Sequence, residues 1–153
     1  MSARILMLLA AAGSAALLVG AWTFEYLGHA PCAMCHWQRW PHMAAVLIGS
    51  SALLVTGTVT AILGALAVAT TAGIGVFHVG VEKKWWPGPS SCTGSGGELA
   101  DLSGAELLST DVADKVVMCD QVSWIFLGVS MPGWNALFSL LLMAIWIVAI
   151  RRV

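Results

Sequence analysis

The sequence predicts an all-α integral membrane protein, a four-helix bundle with two extracytoplasmic cysteine-bearing loops. Three observations predict it. The 153 residues are 59% hydrophobic and 10% charged, against about 25% charged in a soluble domain. Long stretches carry no charge at all: Ile5–Phe24, Met43–Val81 and Trp134–Ile150. The four cysteines, Cys32, Cys35, Cys92 and Cys119, all fall between these stretches. A net charge of −1 leaves nothing to track a phosphate backbone, which excludes nucleic acid as a partner.

Each element follows in order. Ile5–Phe24 is 20 residues long, enough to cross a hydrocarbon core of about 30 Å. Arg4 precedes it, and Trp22 and Tyr26 mark its far end as interfacial. A cleaved signal peptide is the competing reading of this run, with Ser14-Ala15-Ala16 as a loose cleavage site. Met43–Val81 as one helix would be about 58 Å long, roughly twice the core. It should therefore be two spans broken at Thr56-Gly57-Thr58-Val59-Thr60, where the helix formers are poor. Pro41 suits the first turn of the second helix. Trp134–Ile150 is the last span, closed by Arg151-Arg152. The chain reads as one transmembrane domain, with spans at about 5–27, 41–57, 60–79 and 134–150 and redox loops at about 28–40 and 80–133. Ala, Gly, Ser and Thr in the spans allow close helix packing in contact with membrane lipid.

The second loop opens with Lys83-Lys84-Trp85-Trp86-Pro87, an interfacial anchor and helix stop. Thr93–Gly97 reads as a flexible link; its glycine spacing is not that of a nucleotide loop. Ser103-Gly104-Ala105-Glu106 reads as a capping box for a short helix. Glu98, Asp101, Glu106, Asp111 and Asp114 read as a solvated face. Val116-Val117-Met118 and Trp124-Ile125-Phe126-Leu127 are too short to span and read as surface segments. Positive charge does not orient the chain: Arg4, Arg151 and Arg152 lie on the terminal side, Arg39, Lys83, Lys84 and Lys115 on the cysteine side. Four cysteines on one face favour the oxidising side.

Four chemistries compete for those cysteines. Cys32-x-x-Cys35 has zinc half-spacing, but Cys92 and Cys119 are 27 apart and form no second C-x-x-C. Cys32-Ala33-Met34-Cys35-His36 satisfies the c-type haem motif, which makes a membrane-anchored haem electron-transfer protein the main alternative. Two structural staples are a third reading, although a bond within C-x-x-C is labile. The fourth is thiol–disulfide exchange. A C-x-x-C pair near a helix N-terminus has a stabilised thiolate. Arg39, four residues after Cys35, adds a cation on the same helical face; interfacial snorkelling is its plainer role. The tryptophans form an aromatic belt, with Trp37 and Trp40 nearest Cys35. His29 and His42 read as interfacial, and His78 as a histidine packed at the membrane edge.

A set of motifs then carries a resemblance. Pro31-Cys32-Ala33-Met34-Cys35 is followed by Gln38-Arg39-Trp40. Gly80-Val81-Glu82 leads to Trp86, Gly88-Pro89 and Cys92. Cys119 is followed by Trp124–Gly128, Met131-Pro132 and Trp134-Asn135. Together these span nearly the whole chain, which resembles the DsbB family of disulfide bond formation proteins.

The resemblance implies a protein-dithiol oxidoreductase of the bacterial inner membrane, with both termini cytoplasmic and the cysteine loops periplasmic. It implies a DsbA-like thioredoxin-fold oxidase as partner and ubiquinone or menaquinone as electron acceptor, in the manner of the system that keeps the periplasm oxidising. By the same analogy Cys92 forms the mixed disulfide with the partner, out of a Cys92–Cys119 disulfide, and Cys119 then pairs transiently with Cys32. Cys35 faces the quinone, which Arg39 polarises and which Trp37 and His78 approach.

Overall fold

The structure, a computed structural model, describes residues 1–90, 92 and 118–153. Among these it is all-helical apart from one two-stranded hairpin. The order is α1 (Ala3–Tyr26), α2 (Ala33–Ser51), α3 (Thr58–Glu82), β1 (Ile125–Phe126), β2 (Val129–Ser130) and α4 (Met131–Ile150). The link at 93–97, the capping box at 103–106, the acidic residues from Glu98 to Asp114, and Val116-Val117 lie outside the described residues.

The helix ends follow local chemistry. Ser2 caps α1 by accepting from the Ile5 N–H, and Gly28, at φ 96°, supplies the left-handed residue that stops it. Helix α2 opens at Ala33, eight residues before Pro41, because Cys32 acts as its N-cap: the thiol accepts from the Cys35 N–H at 3.3 Å. Pro41 thus sits inside the helix, where it removes one N–H and pushes at the carbonyl a turn back. Thr71 of α3 donates its hydroxyl to the Gln38 carbonyl at 3.1 Å, in the stretch that the proline loosens. The chain turns between Ser51 and Thr58, with Gly57 as the N-cap of α3. Leu127 and Gly128, at φ 51° and 78°, make the tight turn of the hairpin. Its residues Ile125, Phe126 and Leu127 are exposed.

Sequential helices are neighbours, and α4 closes the ring by packing on both α3 and α1. Arg152 donates to the Met1 carbonyl at 2.8 Å and Arg4 to the Thr56 hydroxyl at 3.4 Å, so both termini and the α2–α3 turn share one end. That end holds the apolar core: Leu6, Met7, Ala10, Ala45, Ala61, Val68, Leu142 and Trp146. Helices approach closely through glycine. A Cβ on Gly64 would lie 2.4 Å from the Trp146 ring, and one on Gly49 2.4 Å from the Ala11 Cβ. Helices α1, α3 and α4 are long and apolar enough to cross a membrane. Helix α2, which carries Gln38, Arg39 and His42, packs among them.

Candidate active site

All four cysteines meet at the end opposite the termini. Cys92 and Cys119 are joined in a disulfide with Cα atoms 4.9 Å apart, while Cys32 and Cys35 are free thiols. Cys32, Cys92 and Cys119 form one buried cluster with Met34 and Val81, and Cys35 packs against it. The helix is the reason Cys32 and Cys35 meet: N-cap and N3 positions face one another, which brings their sulfurs to 2.9 Å. The Cys119 N–H donates to the Cys92 carbonyl at 3.0 Å, closing the second pair against itself.

The two thiols are unequal. The hydrogen bond from the Cys35 thiol holds Cys32 far below the ordinary thiol range, with help from His78 and the Cys35 N–H and against the cost of burial. The same contact, together with burial, pushes Cys35 up. The thiolate therefore belongs to Cys32, at the helix N-terminus where N–H groups and the dipole favour negative charge.

His78 lies on α3 with its Nε2 3.6 Å from the Cys32 sulfur and 3.2 Å from the Cys119 carbonyl oxygen. Cys32, Cys35 and His78 offer three potential metal-ligand atoms within 4.8 Å of one another. The Cys119 carbonyl can only accept, however, so His78 Nε2 carries its proton and has no lone pair to give an ion.

On the other side of Cys35 a cavity of about 400 Å³ opens between α1, α2 and α4. Its walls are largely apolar: Leu17, Ala21, Phe24, Trp124, Phe126, Pro132, Trp134 and Phe138. Cys35, Gln38, Arg39, His42 and Asn135 are its convergent polar groups. Arg39, with its side chain 12% exposed, is held by Glu25 of α1 at 2.6 Å.

The residues expected from sequence divide. Cys32, Cys35, Cys92, Cys119 and His78 are brought together, and Arg39 lines the cavity with Cys35. Trp37 and Trp40 are exposed on the outer face of α2 and are not among the cavity's lining; Trp124 and Trp134 stand there instead. His42 is not interfacial. It is 3% exposed and bonded through Nε2 to Asn135 Oδ1 at 2.9 Å, on the buried face of α2 with Met34, Gln38 and Ala45. His36, the residue that completes the haem motif, is exposed, while both sulfurs point inward.

Glu25, Asn135 and the Gln38 side chain also belong to the site, beyond the residues expected from sequence. Their signal was present in part: an acid at the end of one apolar run and an amide near the start of another are costly unless partnered.

The chain is similar to known proteins over nearly its whole length. The model of the family described as "Disulfide bond formation protein DsbB" matches residues 3–149. A curated protein named "Disulfide bond formation protein B", from Marinobacter nauticus (strain ATCC 700491 / DSM 11845 / VT8), is 33% identical over 147 residues, covering 90% of this chain and 86% of the relative. No solved structure matches the chain.

Proposed function

The chain belongs to the DsbB family of disulfide bond formation proteins, and is thus a membrane-bound, disulfide-forming oxidoreductase; from that premise we propose that it reoxidises a periplasmic DsbA-like dithiol oxidase and passes the electrons to quinone. One observation carries the proposal. Cys35 lines the large cavity, while its partner Cys32, 2.9 Å away, is buried in one cluster with the Cys92–Cys119 disulfide. The Cys32–Cys35 pair thus lies between the buried Cys92–Cys119 disulfide and a ligand-sized space.

The relay runs by exchange. A thiolate of the reduced partner attacks Cys92, and Cys119 leaves as thiolate. Cys119 then attacks Cys32 of an oxidised Cys32–Cys35 pair, and Cys35 leaves. When the partner's second thiol displaces Cys92, Cys92 returns to Cys119, frees Cys32, and the reduced Cys32–Cys35 pair remains. Cys32, held low, is a good leaving group in the interloop bond.

The cavity fits the head group of ubiquinone or menaquinone: it has ligand size, apolar walls and a few convergent polar groups. A bound quinone supplies a two-electron, two-proton sink for the dithiol. Arg39 would be the cationic donor toward such a group, and Trp124, Trp134 and Phe138 would supply aromatic surface to hold it. Each ~30 mV of mismatch between successive couples is worth about 1.4 kcal/mol, so a quinone sink draws the exchange forward.

The test is anaerobic. Fully reduced protein, freed of reductant, is mixed with ubiquinone, and thiols lost are counted against quinol formed. Two thiols per quinol, abolished in Cys35→Ser, is the expected result. Persistent thiols without quinol would overturn the proposal.

A further inference from the structure

An unbroken chain of hydrogen bonds runs from inside the bundle to the cysteine cluster. Its members are His42 and Gln38 of α2, Asn135 of α4 and His78 of α3. His42 Nε2 meets Asn135 Oδ1 at 2.9 Å, Asn135 Nδ2 meets Gln38 Oε1 at 2.7 Å, and Gln38 Nε2 meets His78 Nδ1 at 3.0 Å. His78 Nε2 then faces the Cys119 carbonyl at 3.2 Å and the Cys32 sulfur at 3.6 Å.

The direction of every bond is decided by groups that can only accept. Gln38 Nε2 also lies 3.2 Å from the Met34 carbonyl, so the atom there must be the amide nitrogen. Gln38 therefore donates to His78 Nδ1, which is left without a proton. Independently, the Cys119 carbonyl requires the proton on Nε2. The two carbonyls, on different segments, demand the same tautomer. Upstream, Gln38 Oε1 must accept, so Asn135 presents Nδ2 to it and Oδ1 to His42, whose Nε2 donates. All donors point one way, toward the sulfur of Cys32. Gln38, His42 and His78 are 6%, 3% and 2% exposed, and Asn135 is half-buried. Bonds aligned head to tail polarise one another.

We propose that Gln38 and Asn135 are positioning residues that lock His78 as a neutral Nε2–H donor, shared between the Cys119 carbonyl and the Cys32 sulfur. The assignment rests on the exchange role of Cys32 given above and deepens it. His78 in this state is not a base: one nitrogen is protonated and the other occupied. It stabilises the Cys32 thiolate and holds the Cys119 segment beside it, so one N–H keeps the two exchanging residues of different loops in register. Through Gln38, Asn135 links α4, a wall of the large cavity, to that donor.

Other charged and titratable groups that act on the Cys32–Cys35 pair are Arg39 on α2 and Glu82 on α3; Lys84 and Asp120, beside Cys119 in sequence, pair with each other. The variants below alter none of them.

The experiment titrates Cys32 in fully reduced, ¹³Cβ-cysteine-labelled protein in detergent micelles, its signal assigned by loss in Cys32→Ser. Gln38→Leu should raise the Cys32 midpoint by about one pH unit, a tenfold loss of thiolate below the midpoint. Asn135→Leu should raise it by less. Should Gln38→Leu fail to fold, ¹⁵N-histidine labelling of the wild type reads the tautomer directly, with Nδ1 bare and Nε2 protonated expected. An unmoved midpoint in folded Gln38→Leu, or a proton on His78 Nδ1, would overturn the assignment. Neither readout needs quinone. Wild type that shows the expected tautomer and midpoint shift but forms no quinol would sink the proposed relay and leave the positioning role standing.

Discussion

The two ends of the bundle are held by different physics. At the terminal end, Trp146, Met7 and Val68 are fully buried among alanines, and Gly64 and Gly49 let backbones approach to contact distance. Between lipid-exposed helices no hydrophobic drive is available, so close packing supplies the stability there. At the cysteine end the contacts are a disulfide, thiols, amides, imidazoles and ion pairs, each directional. The difference teaches a division of labour. A tightly packed end tolerates no change of shape but carries no chemistry, whereas the polar end can exchange bonds because its frame is fixed elsewhere.

That division can be broken deliberately. Cys35→Ser should lower quinol formation to background while the thermal midpoint stays within a few degrees of wild type, read by scanning calorimetry or circular dichroism in the same detergent. An equal loss of fold would show that the cysteine end is structural after all. Gly64→Ala is the reciprocal change. Its methyl would meet the Trp146 ring, and overpacking of this kind costs about 1–3 kcal/mol. The melting temperature should fall, with turnover per folded molecule retained.

Two smaller effects sharpen the comparison. Arg39→Ala should raise the KM for a soluble quinone about tenfold, worth ~1.4 kcal/mol, with a lesser change in kcat. Glu25→Gln, which frees the guanidinium, should leave that KM near wild type or lower it. An unchanged KM in Arg39→Ala would assign the arginine to packing against α1 alone. Lys84→Ala removes an exposed partner of Asp120 and should cost under about 1 kcal/mol in a denaturant titration.

Much of this was legible in the sequence, for reasons that can be named. Charge-free runs of spanning length announce helices because a bilayer leaves the backbone no other way to satisfy its hydrogen bonds. The C-x-x-C motif announces its chemistry because two thiols at that spacing meet in the first turn of a helix. The start of α2 was less legible. Pro41 is a common first-turn residue, whereas the helix here starts earlier, at the Cys32 N-cap. On that helix His42 falls on the buried stripe of Met34, Gln38, Ala45 and Gly49, while Trp37 falls outside it and is exposed. Trp124 and Trp134 are far from Cys35 in sequence and reach the cavity only through the hairpin and the start of α4.

The sequence by itself determined the helical membrane class, because that class depends on charge and length within single segments. Tertiary structure alone decided which amide met which imidazole, and that Glu25 would hold Arg39. Those choices join residues up to 97 apart, and no local rule selects among distant partners. They follow only once four helices have packed closely enough for buried polar groups to require one another.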